Sequence, residues 1–346
     1  MVLEHLFPED WLEKKVGYAF LIAVIYSTLG IIAARLLFGA NSGIVSVIFT
    51  SLFILPYLQK MFSKEEREEE REKRAEFTRL DSLKHFFQNN QAIRVYASIF
   101  LGIYLAYMLF SFILPQLGLN TFDIFKEQLF IDPALRGRAF DTSTFFSILG
   151  NNWWVLLACF LLAIIVGDGA IFFITWNASS WGALFGYRSL SAGLYAHVNP
   201  WWYLFLVFII TLPHVILEGG AYILSAISGS IVSDEIVKEK GDIRKFVFFI
   251  IIGGSLLFAL GYAFSSALGE GAKQFLSISS IILISAMIYM LGQLFTKKSL
   301  KKVFMNNYDL FILAIIVFII GAIVETLVLN HSEALNTIYS FSMLFS

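Results

Sequence analysis

The sequence predicts an all-α membrane protein, a polytopic bundle of about eight hydrophobic segments. Of its 346 residues, 58% are hydrophobic and only 15% are charged, whereas a soluble domain is roughly 45–50% apolar and 25% charged. Several apolar runs reach the ~20 residues that a helix needs to cross a bilayer. A net charge of -1 gives no general attraction to nucleic acid, so nucleic acid is not an expected partner.

The eight hydrophobic segments are expected to form the membrane helices in chain order. They cover residues 16–38, 44–58, 95–117, 153–176, 201–232, 246–266, 275–295 and 310–330. The second is short and is expected to extend into its flanks. The fifth is too long for one straight crossing and contains Pro213, which removes a helix hydrogen bond. We therefore expect a broken or re-entrant helix near Pro213.

The charge pattern divides the chain and orients it. Residues 1–59 form a transmembrane hairpin, 60–94 a charged cytoplasmic helical insertion, and 95–346 a membrane core with an external loop at 118–152. The insertion holds nine Lys and Arg residues, and further basic clusters lie at 238–245 and 297–302. Because basic loops stay on the cytoplasmic side, the sequence predicts a multi-pass protein of the cell membrane with a cytoplasmic N-terminus.

This orientation constrains the middle third of the chain. Residue 153 starts outside and residue 233 ends inside, so the stretch between them crosses an odd number of times. Either segment 201–232 is re-entrant, or residues 177–198 form an extra crossing despite Arg188. Both alternatives place irregular helical backbone at membrane depth, where it must be buried in protein or line a cavity.

Ionisable residues inside apolar runs are the candidate functional residues. Asp168, His214, Glu218 and Glu325 qualify, since an ionised group at the bilayer centre costs about 3 kcal/mol or more and normally faces protein or water. His214 and Glu218 are four residues apart and share one helix face. They could be a polar staple between helices, a proton or ion site, or a metal site. A catalytic zinc needs three protein ligands, so no metal or other cofactor is predicted.

Small residues repeat every four positions on two predicted helices. One stripe comprises Ala178, Gly182 and Gly186, and the other runs from Ala221 through Ser225 and Gly229 to Ser233. Such stripes let helix backbones approach closely in lipid. They indicate either packing within the chain or association of two copies. In the external loop, Phe122, Phe125 and Leu129 have the spacing of a short interfacial helix.

The run LPHVILEGGAY at 212–222 resembles the signature of the stage II sporulation protein M family, roughly Pro-His-Gly-x-x-Glu-x-x-Ala. Pro213, His214, Glu218 and Ala221 match this pattern, and Val215 stands in place of its Gly. Asn177, in FFITWNASSWGALFG, and Glu325, in GAIVETLV, resemble two other polar positions of the family. The resemblance implies a membrane protein without established enzymatic activity, similar to a scaffold that holds cell-wall-degrading partners at the membrane.

Three classes of function remain open from the sequence. The first is a non-enzymatic scaffold or membrane-remodelling factor. The second is a secondary transporter or channel that uses intramembrane His214 and Glu218. The third is an intramembrane hydrolase, which the absence of any GxSxG or HExxH motif disfavours, so no catalytic residue is predicted. Expected partners are the lipid bilayer, other membrane or extracytoplasmic proteins, and a second copy of the chain.

Overall fold

The computed structural model describes residues 16–39, 42–72, 91–120, 124–129, 142–237 and 298–331, together with short pieces between 281 and 293. Every secondary-structure element in these ranges is helical, which confirms the predicted all-α class. Among the described residues, four helices are long and apolar enough to cross a membrane, namely Gly17–Phe38, Ala92–Leu117, Pro200–Ser230 and Asn307–Val328. Segment 246–266 and most of 275–295 lie outside the described residues, so the count of about eight stays a prediction.

The main helices are numbered in chain order. They are α1 (Val16–Phe38), α2 (Ser42–Glu72), α3 (Gln91–Ile113), α4 (Lys126–Leu129), α5 (Thr142–Val166), α6 (Ile171–Tyr195), α7 (Pro200–Val237) and α8 (Lys298–His331). Two short 3₁₀ turns, Leu114–Leu117 and Gly167–Ala170, follow α3 and α5. The chain divides into two compact units. The first comprises Met1–Arg138, Ile171–Gly219 and Leu327–Ser346, and the second comprises Ala139–Ala170 and Gly220–Thr326.

Helices α1 and α2 pack together as a hairpin in the first unit. Helix α1 has the predicted bounds, and the chain leaves it at Gly39, whose φ of +54° is a conformation that favours glycine. Arg35 Nη1 donates to the Gly39 carbonyl oxygen over 2.9 Å, which satisfies one of the carbonyls at this helix end. As expected, α2 extends well beyond residue 58, and its last turns carry the start of the charged insertion.

Helix α6 packs against α3 at a glycine stripe. A Cβ atom placed at Gly182 would collide with the Tyr104 carbonyl oxygen, and one at Gly186 with that of Met108. The predicted small-residue stripe therefore packs within the chain. Residue numbers rise together along this contact, so α3 and α6 run parallel.

Helix α7 runs antiparallel to α3. The Phe112 ring lies 4.7 Å from the Trp201 ring near the start of α7. Further along α7, the Tyr104 ring lies 6.2 Å from that of Phe208. The predicted orientation, outward for segment 95–117 and inward for segment 201–232, requires this antiparallel relation.

The second unit has its own core, to which α5, the C-terminal half of α7 and α8 contribute. The Phe160 and Phe311 rings stack with their centroids 4.2 Å apart. Ser225 Oγ donates to the Leu156 carbonyl oxygen over 2.7 Å, and a Cβ at Gly229 would collide with the Phe160 carbonyl oxygen. The second predicted stripe, as far as Gly229, also packs within the chain.

The predicted helix break is in a different place. Helix α7 continues from Pro200 to Val237 with Pro213 inside it, so the predicted break near Pro213 is wrong. A proline inside a helix removes one hydrogen bond and crowds the carbonyl four residues before it. Pro213 is exposed, and a membrane helix tolerates proline because neighbouring groups can satisfy the freed backbone. The break lies instead within predicted segment 153–176, where α5 ends at Val166 and Gly167 has a φ of +62°.

Residues 177–188 lie within a helix of their own. Because α6 is a separate helix of 25 residues, about 37 Å long at ~1.5 Å per residue, three long helices follow one another between residues 142 and 237. Segment 201–232 lies within one continuous helix, so it forms no re-entrant hairpin. By its apolar character α6 is not among the four candidate spans.

Candidate functional site

His214 lies on the inner face of α7 against α6. Its ring centroid is 6.3 Å from that of Trp181 and 6.1 Å from that of Phe185, both in edge-to-face arrangements. The side chain is only 1% exposed. Trp181 and Phe185 are one helical turn apart on α6, so they present adjacent rings to the imidazole. His214 therefore faces α6, the helix that contains Asn177 and Arg188.

One buried nitrogen of the imidazole lacks a hydrogen-bond partner within the described residues. Among the residues that the structure describes, His214 Nδ1 is buried and has no hydrogen-bond partner. A buried nitrogen that could bond but does not costs about 1–3 kcal/mol.

Glu218 lies one turn further along α7 and is fully buried. The next residue, Gly219, faces α3, where a Cβ would lie 2.7 Å from the Phe100 ring. The Phe100 ring in turn lies 6.0 Å from that of Trp181. His214 and Gly219, on either side of Glu218 in the chain, thus contact aromatic side chains of α6 and α3.

A hydroxyl pair lies one turn before His214. Tyr104 Oη and Thr211 Oγ1 are 3.2 Å apart and link α3 to α7. The Thr211 hydroxyl also donates to the Val207 carbonyl oxygen of its own helix over 2.7 Å. Thr211, His214 and Glu218 therefore form a buried polar stripe on one face of α7.

The other predicted members lie elsewhere. Asn177 is buried on α6, but its Nδ2 donates to the Phe173 carbonyl oxygen of the same helix over 2.8 Å. Asp168 lies in the turn Gly167–Ala170, and Glu325 is buried on α8. Asp168 and Glu325 belong to the second unit, whereas Asn177, His214 and Glu218 belong to the first.

The sequence reasoning missed the aromatic side chains around His214. Phe100 and Tyr104 on α3, like Trp181 and Phe185 on α6, are spaced four residues apart. This spacing was available in the sequence, but aromatic pairs are common in an apolar chain and do not reveal what they face. In the described ranges, no three His, Cys, Asp or Glu side chains are grouped closely enough to hold a metal ion.

Comparison of the chain with protein-family models, curated proteins and solved structures finds no match. The candidate site must therefore be interpreted from its own geometry.

Proposed function

We propose that the protein is a non-enzymatic membrane scaffold, in keeping with the resemblance to the stage II sporulation protein M family. The observation that carries the proposal is the backbone contact of α6 with α3 at Gly182 and Gly186. Such a close contact favours one arrangement of the two helices, because a large displacement of either would lose the van der Waals packing between their backbones. A fixed bundle suits a platform for other proteins.

The surroundings of His214 support the same proposal. The rings of Trp181 and Phe185 pack against the imidazole, whereas transporter sites at the membrane midplane expose polar groups to a cavity between broken helices. Helix α7 is also unbroken through Pro213. The polar stripe of α7 then serves to align helices in lipid, as hydrogen-bonding side chains do in membrane bundles.

The proposed setting is the cell membrane, with multiple crossings and a cytoplasmic N-terminus. Four apolar helices fit a membrane-embedded protein, and the basic loops supply the orientation. Partners would be membrane or extracytoplasmic proteins and a second copy of the chain, and no cofactor is required.

The orientation predicts the labelling of two single-cysteine variants. In a Cys159→Ser background, a membrane-impermeant thiol reagent added to intact cells should label Ser143→Cys and should leave Ser299→Cys unlabelled until the cells are opened. Labelling of Ser299→Cys alone in intact cells would invert the proposed topology. A reagent that crosses the membrane should label both variants and controls for their expression.

The scaffold function is tested by covalent crosslinking in native membranes. We expect the tagged full-length chain to yield a crosslinked species of defined mass that contains another membrane or extracytoplasmic protein. An unrelated membrane protein with the same tag and similar expression controls for random collisions. Recovery of the chain only as an uncrosslinked monomer would argue against a scaffold.

A second candidate function is transport of protons or small cations through His214 and Glu218. It is favoured by the buried Nδ1 of His214, which has no hydrogen-bond partner within the described residues and could accept a proton. Replacement of Glu218 distinguishes the two functions, as set out in the Discussion.

A further inference from the structure

We propose a calcium-binding site where the segment at 124–129 packs against the first turn of α2. Two hydrogen bonds hold this segment in place. Ser42 Oγ donates to the Ile124 carbonyl oxygen over 3.1 Å, and Gln128 Nε2 donates to the Gly43 carbonyl oxygen over 2.9 Å. The Phe125 ring lies 5.6 Å from that of Tyr107 on α3. The segment is thus fixed between α2 and α3, with Phe125 buried rather than displayed as an interfacial side chain.

Two side-chain oxygens converge on Gly43. Glu127 Oε2 and Gln128 Oε1 both lie beside the place that a Cβ of residue 43 would occupy, and the Ile124 carbonyl oxygen lies 3.2 Å from that place. Both side-chain oxygens are buried, and neither has a hydrogen-bond partner within the described part of the chain. Gln128 as a whole has no exposed surface. Three oxygen acceptors therefore gather here, and within the described residues only the Ile124 carbonyl accepts a side-chain hydrogen bond, from Ser42.

This arrangement is unfavourable without a bridging group. A buried acceptor that lacks a partner costs about 1–3 kcal/mol, and a charged one costs more. The full charge of Glu127 and the partial charge on the Gln128 oxygen also repel each other. A cation between the two oxygens would remove both costs at once.

The ligand types favour calcium. Ca²⁺ binds carboxylate, side-chain amide and backbone carbonyl oxygens, and water can complete a flexible coordination shell. Mg²⁺ demands a near-ideal octahedron and gives up its waters reluctantly. The first turn of α2 contributes a partial positive charge of roughly +0.5, which the full negative charge of Glu127 outweighs. With a single carboxylate, we expect a weak site, in the range of ~10⁻⁴–10⁻³ M that is typical of extracellular modules.

The test is thermal unfolding of the full-length protein in detergent micelles. We expect about 5 mM CaCl₂ to raise the unfolding midpoint by roughly 2 °C or more, since a ligand that binds only the folded state stabilises it. MgCl₂ and NaCl at the same ionic strength should not. Glu127→Gln, which keeps the shape of the side chain, should lose the response. Lys126→Gln, a neighbouring exposed position, should keep it and serves as the control.

Three results would overturn the proposal. They are no response of the wild type to CaCl₂, an equal response to MgCl₂ or NaCl, and an undiminished response of Glu127→Gln. A wild type that ignores CaCl₂ while Glu127→Gln is as stable or more stable would instead indicate that the two side chains bond to each other without a cation. Retention of radioactive calcium by the wild type in equilibrium dialysis provides a second readout that does not depend on how any variant folds.

Discussion

Replacing Gly186 with alanine should destabilise the protein, whereas the same replacement at Gly220 should not. A methyl group at residue 186 would meet the Met108 backbone of α3, while one at residue 220 would meet nothing within 4 Å. A backbone collision cannot be relieved by a side-chain rotation, so α6 must move away from α3. We expect a loss of about 1–3 kcal/mol of unfolding free energy at Gly186, as for other overpacked interiors.

Gly220 is a matched control because both glycines lie inside long helices. Alanine has a higher helix propensity than glycine by ~1 kcal/mol, so Gly220→Ala should be neutral or slightly stabilising. The measurement is the unfolding midpoint of each variant in the same detergent. Equal effects at the two positions would show that the close approach of α3 and α6 is not what holds the first unit together.

The second large effect is expected at His214. His214→Ala should lower the unfolding free energy by about 2–4 kcal/mol, because it removes the ring that Trp181 and Phe185 contact and leaves a cavity. His214→Phe replaces the imidazole by a slightly larger aromatic ring without a polar atom. If the imidazole is mainly a packing element, His214→Phe should retain most of the wild-type stability, since Nδ1 has no hydrogen-bond partner in the described part of the chain.

The contrast between these two variants identifies the role of the imidazole. Thermal unfolding in detergent, with size-exclusion chromatography as the test of folding, measures both. A His214→Phe protein that is as unstable as His214→Ala would contradict the packing role, because the phenyl ring keeps an aromatic contact with Trp181 and Phe185 that alanine loses.

Much of the fold follows from apolar runs alone. Helix α1 has the bounds that its hydrophobic run predicts, and α3 with its following 3₁₀ turn ends at Leu117, as predicted. In a membrane, every backbone polar group must be satisfied within the chain, so a long apolar run has few alternatives to a helix. This is why the all-α class and the separation of α1 and α2 could be predicted.

The helix break could not be placed because helix α7 continues through Pro213, and helix α5 ends instead before Gly167. Proline usually breaks or kinks a helix, because it cannot donate a backbone hydrogen bond and its ring crowds the preceding turn. Pro213 lies on the exposed side of α7, and the helix continues through it. Gly167 and Gly169 flank Asp168 inside a long apolar run. A hydropathy profile averages over such a run and does not show that the helix ends there. A positive φ at Gly167 depends on where the chain must turn, which the local sequence does not reveal.

The candidate site was predicted in part. The i,i+4 spacing correctly placed His214 and Glu218 on one buried face, because helical periodicity fixes which side chains align. The family resemblance also points to Asn177 as a functional residue, yet its amide donates to the carbonyl oxygen of Phe173. The side chain of an asparagine in a helix can hydrogen-bond to a carbonyl of the preceding turn. The sequence does not reveal whether it does so or bonds to another helix. The proposed calcium site beside Gly43 could not be predicted either, since it depends on two segments that are far apart in the sequence.

The central claim, that the bundle is a fixed scaffold rather than a transporter, is tested most directly by proton flux. The purified protein is reconstituted into liposomes that contain a pH-sensitive dye, and a pH gradient is imposed with a potassium ionophore to balance charge. The account predicts that wild-type protein and the Glu218→Gln variant both give the flux of protein-free liposomes. A flux through the wild type that Glu218→Gln abolishes, while the variant remains folded and reconstituted, would contradict it.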